Sequence, residues 1–231
     1  MWYSDRWVAA GRYWLHDKGM TAPFFSPSFQ NQLEQLLIWR RDVRHFRTTP
    51  VPTPVLDELL ETACLAPSVG LSEPWRFVLV NDSNRRDAIR KNFMRSNTQE
   101  LEGREGKDAQ RYARLKLAGL DDAPHHIAVF CETNPQQGRG LGRATMPQTT
   151  TWSAVMAIHT FWLAATAHGV GVGWVSILNP QEAHAALSVE PNWQFLAYLC
   201  VGFPEQHANT PELERRGWEK RNPARRQWIQ R

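Results

Sequence analysis

Cysteine is scarce in this 231-residue chain: Cys64, Cys131 and Cys200 are odd in number, widely separated and without any C-x-x-C pair. That excludes a disulfide framework, offers no zinc-ligand spacing and fits a reducing cytoplasm. Lysine-rich blocks are missing too. With 27 Lys and Arg against 23 Asp and Glu, the formal net charge of +4 is a mild excess, which favours small anionic ligands over nucleic acid. The amino terminus, MWYSDRWVAAGRYW, has no continuous apolar stretch of the kind a signal peptide needs, and no run reads as a clean membrane span. Secretion and membrane insertion are therefore not expected. Nucleotide signatures are absent as well. QGRGLGR (137–143) lacks the Lys-Ser/Thr ending of a phosphate loop and reads as a flexible loop that orders over a ligand. GVGVGWVS (169–176) lacks the G-x-G-x-x-G register and leads into a strand instead of following one. Ser176 lies in no nucleophile elbow, which leaves hydrolysis unsupported. His125 and His126, without a second ligand pair, read as ordinary polar contacts and not as a metal site.

What is present is an ordinary globular composition, 42% hydrophobic and 22% charged, with eleven tryptophans that suit a core, a subunit interface or a planar ligand. Residues 1–27 mix aromatics, glycines and prolines without periodicity and read as an arm. Helical order is expected from Ser28, where Leu33, Leu36 and Leu37 share a face. After TTPVPTP, Thr53 is placed as the N-cap of a second helix with Pro54 at its first position, ending before Pro67. WRFVLV (75–80), IAVFC (127–131), VGWVSIL (172–178) and FLAYLCV (195–201) read as strands buried on both faces. The polar stretch 84–119 between the first two carries weak helical signals and is a candidate lid. TWSAVMAIHTFWLAATAHG (151–169) is apolar nearly all round and reads as a central helix closed by Gly169. Asn179, Pro180 and Glu182 form an N-cap, N1 and N3 set for one more helix. With no linker and no internal repeat, residues 28–231 are expected to be a single α+β domain with helices around a central sheet.

One segment stands out chemically. RRDVRHFR (40–47) gathers four arginines and a histidine around Asp42. Guanidinium groups match phosphate oxygens in bidentate fashion, whereas an acid among exposed arginines is commonly a solvated charge balance of little worth. The alternative is that Asp42 does chemistry beside something the arginines hold.

The combination of RRDVRHF, APSVGLSEPWRF (66–77) and GVGWVSIL (171–178), together with YARLKLAG, GRGLGRATMPQTT and TPELERRGWE, resembles the flavin-binding nitroreductase superfamily from about Leu33 to about Trp218. Within it the chain is most similar to the branch that makes 5,6-dimethylbenzimidazole from reduced FMN and oxygen. The resemblance implies a nitroreductase-like α+β fold with a central mixed β-sheet flanked by helices, assembled as an intertwined homodimer. It implies FMN contacts from Arg40, Arg41, Asp42, Val43 and Arg44, from Pro67 and Ser68 of the partner subunit, from Lys116, and from Val175, Ser176 and Ile177 along the isoalloxazine. A carboxy-terminal arginine would complete the phosphate site, Arg216 or its neighbours Arg215 and Arg221. Relatives that reduce nitro compounds usually carry serine at the position of Asp42, and the dimethylbenzimidazole-forming branch carries the acid. Val69, Leu71 and Glu73 replace polar residues of the P-S-S-x-N-x-Q-P-W pattern, which argues against a generic reductase.

The implied catalytic pair is Asp42 and Ser176. The implied reaction consumes FMNH2 as substrate and O2 as co-substrate, releases erythrose 4-phosphate, and depends on a separate NAD(P)H flavin reductase in the cytoplasm, with no metal, nucleic acid or membrane involved. A carboxylate beside guanidinium groups has its pKa lowered and a buried one has it raised, and spacing does not decide between the two for Asp42. The rival readings are an NAD(P)H-dependent nitroreductase that turns over with FMN bound, and a noncatalytic flavin-binding protein.

Overall fold

A computed structural model of the chain describes residues 23–106 and 119–231. The first helix among the described residues, α1 (Pro27–Trp39), begins one residue ahead of Ser28 and carries Leu33, Leu36 and Leu37. The chain divides into two units, residues 1–34 and 35–231, with the division inside α1.

In the larger unit, α2 (Thr53–Ala63) starts with Thr53 as its first helical residue, because the Pro52 carbonyl accepts from Val55 N at 2.9 Å and Leu56 N at 3.1 Å. The cap position therefore belongs to Pro52. β1 (Trp75–Leu79) follows, then α3 (Ser83–Glu102), a continuous helix started by Asp82, whose carboxylate accepts from Arg85 N at 2.9 Å. Its only fully buried side chains are Ile89 and Asn92, too few to give a clear apolar stripe. The first part of the candidate lid is this helix; residues 107–118, Lys116 among them, lie outside the described residues. A single turn, α4 (Gly119–Asp122), leads into β2 (His125–Glu132). The central helix is α5 (Thr149–Ala167), closed by Gly169 at φ 70°. β3 (Gly171–Val175), α6 (Pro180–Leu187), β4 (Trp193–Gly202) and the turn α7 (Glu212–Arg215) complete the order. Asn179 caps α6 as its sequence indicates, accepting from Gln181 N and Glu182 N at 3.0 and 3.1 Å.

The strands form one sheet in the order β1-β2-β4-β3, and all three ladders are antiparallel. The mixed sheet expected of the chain is thus reduced, among the described residues, to one parallel bridge between Asp42 and Val172. The reason is local: the arginine segment is too short and irregular to continue as a strand beyond that bridge. Alternation along β2 and β4 feeds two cores. Ile127, Val129, Ala197, Leu199 and Val201 pack under α2 and α5, while Ala128, Phe130, Tyr198 and Cys200 face Ile89, Ala183 and Leu187. The sheet is a layer between helices, buried on both faces at its centre and open at Leu79 on its edge. None of the described helices is long and apolar enough to cross a membrane.

Candidate functional site

Residues 40–47 lie along the β3 edge and cross to the end of β4. Val43 N donates to Val172 O at 3.0 Å, Arg47 N to Phe203 O at 2.8 Å and Glu205 N to His45 O at 3.1 Å. Such close approach needs β3 to be bare. A Cβ on Gly173 would stand 2.2 Å from Val43 O, and one on Gly171 would stand 2.9 Å from Val43 Cγ2. The glycine run that superficially suggests a nucleotide loop is therefore a track on which the arginine segment rests.

Asp42 is fixed from two sides. Oδ1 accepts from Trp174 N at 2.9 Å, and Oδ2 accepts from Arg44 Nε at 3.4 Å. Its side chain keeps 37% of its surface open to a cavity, against 11% for Arg44. Protein nevertheless crowds the carboxyl closely enough that burial is the leading influence and raises its pKa above the ordinary value. The Trp174 N–H and Arg44 pull the other way without prevailing, and Glu212 adds to the rise. Desolvation wins the contest that spacing left open.

The cavity, about 260 Å³, is walled by Arg41, Asp42, Val43 and Arg44 on one side and by Glu205, Gln206, Glu212, Arg215 and Arg216 on the other. Arg41 is pinned by donating from Nε to Asn209 O at 3.0 Å and from Nη2 to the same carbonyl. Arg216 Nε donates to Glu212 Oε1 at 3.3 Å. Arg40 does not line the cavity: its guanidinium lies over the Trp162 ring at 4.9 Å, and Trp162 Nε1 donates to Arg41 O at 3.2 Å. Arg40 and Arg41 both have lowered pKa values, burial first, with the positive charge of Arg221 acting in the same direction. Crowded guanidiniums of this kind are relieved by a multivalent anion with oxygens on several sides. The residues present therefore fit the phosphate end of a flavin nucleotide.

The other sequence-named residues lie elsewhere. Ser176 is exposed just past β3 and lines a second, open groove with Ile177, Asn179, and Ser96, Gln99 and Glu100 of α3. Val175 is 2% exposed and belongs to the core around Tyr198. Pro67 is exposed and Ser68 half-buried on the α2–β1 loop, where Ser68 Oγ accepts from Glu73 N at 3.1 Å. That loop adjoins the QGRGLGR segment and not the arginine cavity. Sequence reasoning missed Trp162, Trp174 and Glu212. Trp162 looks like any core aromatic, Trp174 acts through its backbone, and Glu212 is one acid among many until the turn α7 brings it to the cavity. His126, as expected of ordinary polar contacts, pairs through Nδ1 with the Tyr198 hydroxyl at 2.9 Å.

The nitroreductase family model matches residues 37–203. A 5,6-dimethylbenzimidazole synthase of Rhodospirillum rubrum is 55% identical, covering 88% of this chain and 96% of that protein. One from Rhodobacter capsulatus is 42% identical, covering 90% and 99%. Among solved structures, a BluB-like flavoprotein from Clostridium difficile 630 superposes with a TM-score of 0.64 at 21% identity, over 86% of this chain and 99% of that one. Oxidised iodotyrosine deiodinase bound to FMN and 3-iodo-L-tyrosine superposes with a TM-score of 0.66 at 24% identity, over 76% and 91%. These two structures share the fold.

Proposed function

The chain belongs to the nitroreductase family, and from that premise we propose that it is a 5,6-dimethylbenzimidazole synthase, which breaks reduced FMN down with dioxygen. The products are 5,6-dimethylbenzimidazole, the lower ligand of cobalamin, and D-erythrose 4-phosphate. The observation that carries the reading is the placement of Asp42, a carboxyl with a raised pKa in the wall of a cavity lined by four guanidiniums.

Arg41, Arg44, Arg215 and Arg216 hold the phosphate, and Arg40 braces the segment from behind through Trp162. At about 260 Å³ the cavity is below the ~300–1,000 Å³ of complete small-molecule sites. It suits the phosphate and not the tricyclic ring. A second copy of the chain completes the site, with Pro67 and Ser68 supplied to the partner subunit. The exposed Trp152, Val155 and Met156 of α5 offer an apolar face for that pairing. Reduced FMN supplies the electrons and the carbon skeleton. Asp42 holds a proton to higher pH than an ordinary carboxylate, because burial disfavours its charged form, and this suits it to hand a proton on and take it back. The Trp174 N–H and Arg44 fix the direction in which it does so. Ser176 contributes a hydroxyl that donates a hydrogen bond or relays a proton. A separate NAD(P)H flavin reductase delivers FMNH2. The free thiols of all three cysteines suit the reducing cytoplasm in which the reaction is placed.

The test is an aerobic incubation of purified protein with FMN, NADPH and an independent flavin reductase, followed by mass spectrometry. The expected result is 5,6-dimethylbenzimidazole with a matching loss of flavin. Intact flavin and no product, with the reductase active, overturns the reading; NADPH oxidation without added reductase would then indicate a nitroreductase.

A further inference from the structure

Beside the groove that holds Ser176, α3 buries one polar side chain. Asn92 is 2% exposed. Its Nδ2 donates to Asn179 O at 2.9 Å, and its Oδ1 accepts from Asn179 N at 2.9 Å and from Ser96 Oγ at 3.2 Å. The amide orientation is fixed by chemistry, since a backbone N–H can only donate and so must face Oδ1. One side chain thus satisfies both backbone groups of Asn179, whose own side chain caps α6.

The consequence lies three residues upstream. Val175 is held by its pairing with Tyr198 in the β3–β4 ladder, and Asn179 is held by Asn92. Ser176, Ile177 and Leu178 span these two anchors and line the groove. The α3–α6 layer is further tied by the Arg95–Glu182 ion pair and by Arg85 Nη1 donating to Ala186 O at 3.1 Å. Resting on the reading of Ser176 given above, we infer that Asn92 is a positioning residue for the reaction: its clasp on Asn179 sets where the Ser176 hydroxyl stands. Nothing in the sequence announces this, because a lone asparagine in a polar helix looks like a solvated face.

The clasp makes a pH-dependent test possible. In Asn92→Asp, the acid form keeps both bonds, its O–H donating to Asn179 O and its other oxygen accepting from Asn179 N. The ionised form sets a negative oxygen against the Asn179 carbonyl. Burial favours the acid form. The neighbouring charges are Arg95 with Glu182 on α3 and α6, and Glu100 with Arg104 along the groove, paired in each case.

The experiment measures product turnover with supplied FMNH2 for wild type, Asn92→Leu, Asn92→Asp and Ser176→Ala, with circular dichroism to confirm folding. Asn92→Leu should lose about 100-fold in kcat, as expected for a displaced reacting group. Its KM for FMNH2 should stay within about threefold, because the phosphate cavity is untouched. The turnover of Asn92→Asp, as a ratio to wild type, should climb as pH is lowered from about 9 to about 6. Folded Asn92→Leu with wild-type kcat, while Ser176→Ala is inactive, overturns the role of Asn92 alone. Active Ser176→Ala overturns the reading of Ser176 on which it rests. Where Asn92→Leu fails to fold, Asn92→Asp decides: a ratio flat with pH overturns the inference.

Discussion

Gly173→Ala is the sharpest perturbation of the arginine track. The new Cβ would meet Val43 O at 2.2 Å, and ordinary contact begins near 3.4 Å, so the two backbones must part by about 1.2 Å. The obstacle is a main-chain carbonyl, which no rotamer change relieves. Parting the backbones breaks the Val43 N to Val172 O bond and the Trp174 N to Asp42 bond. At roughly 0.5–1.5 kcal/mol for each hydrogen bond and ~1–3 kcal/mol for overpacking, the loss is about 2–6 kcal/mol. Displacing Asp42 by this much should also cost about 100-fold in product turnover. Gly171→Ala is the control: its Cβ would meet the Val43 side chain at 2.9 Å, which can shift, so the cost should be under about 1.5 kcal/mol. Urea unfolding midpoints and dimethylbenzimidazole yield measure both effects. Wild-type behaviour of Gly173→Ala, or greater damage from Gly171→Ala, would refute the reasoning.

Asp42→Asn should abolish dimethylbenzimidazole formation while FMN binding, followed by fluorescence quenching, persists; normal product yield would remove Asp42 from the chemistry. The same substitution has a signature in stability. A carboxyl with a raised folded pKa binds more protons folded than unfolded, so its contribution is full below the ordinary value of 3.8 and declines as pH rises through the folded pKa. The variant lacks that decline, and its stability relative to wild type should improve across this window in urea titrations at successive pH. His126 has the opposite sign. Burial, aided by Arg86, pushes it down to about 4, so its contribution is full above 6.5 and is lost as pH falls from there towards 4. His126→Gln should flatten stability over that range, and Tyr198→Phe should cost about 1–3 kcal/mol by leaving the buried His126 Nδ1 without its partner.

Much of the frame was legible because local chemistry and the final fold agree. Asn179, Pro180 and Glu182 announce α6 with its cap, and the apolar runs of β2 and β4 are long because both their faces are covered. Guanidinium chemistry made the arginine segment a candidate anion site, but only the resemblance to a flavin-binding family set it apart from a solvated charge cluster. Its companions were not legible. The bond from Trp174 to Asp42 uses a backbone N–H, which every residue but proline carries, so no residue type marks it. Glu212 reaches the cavity through a one-turn helix that has no periodicity to read. α3 hid for a related reason: a helix that buries one isoleucine and one asparagine has almost no stripe. Among the described residues the mixed character expected of the sheet rests on one parallel bridge, too short a contact to leave a pattern in the sequence.

The site joins parts of the chain that are made at very different times. Asp42 waits for Trp174, 132 residues later, and Arg41 waits for Asn209, 168 residues later. Synthesis runs from the amino end at ~5–20 residues per second, so a growing chain carries the leading arginines for many seconds with no cavity around them. A half-finished enzyme has the charge to attract a phosphate but no geometry with which to act on what it attracts. If the proposed reaction holds, reduced flavin meets the geometry that breaks it down only in a chain complete beyond Arg216.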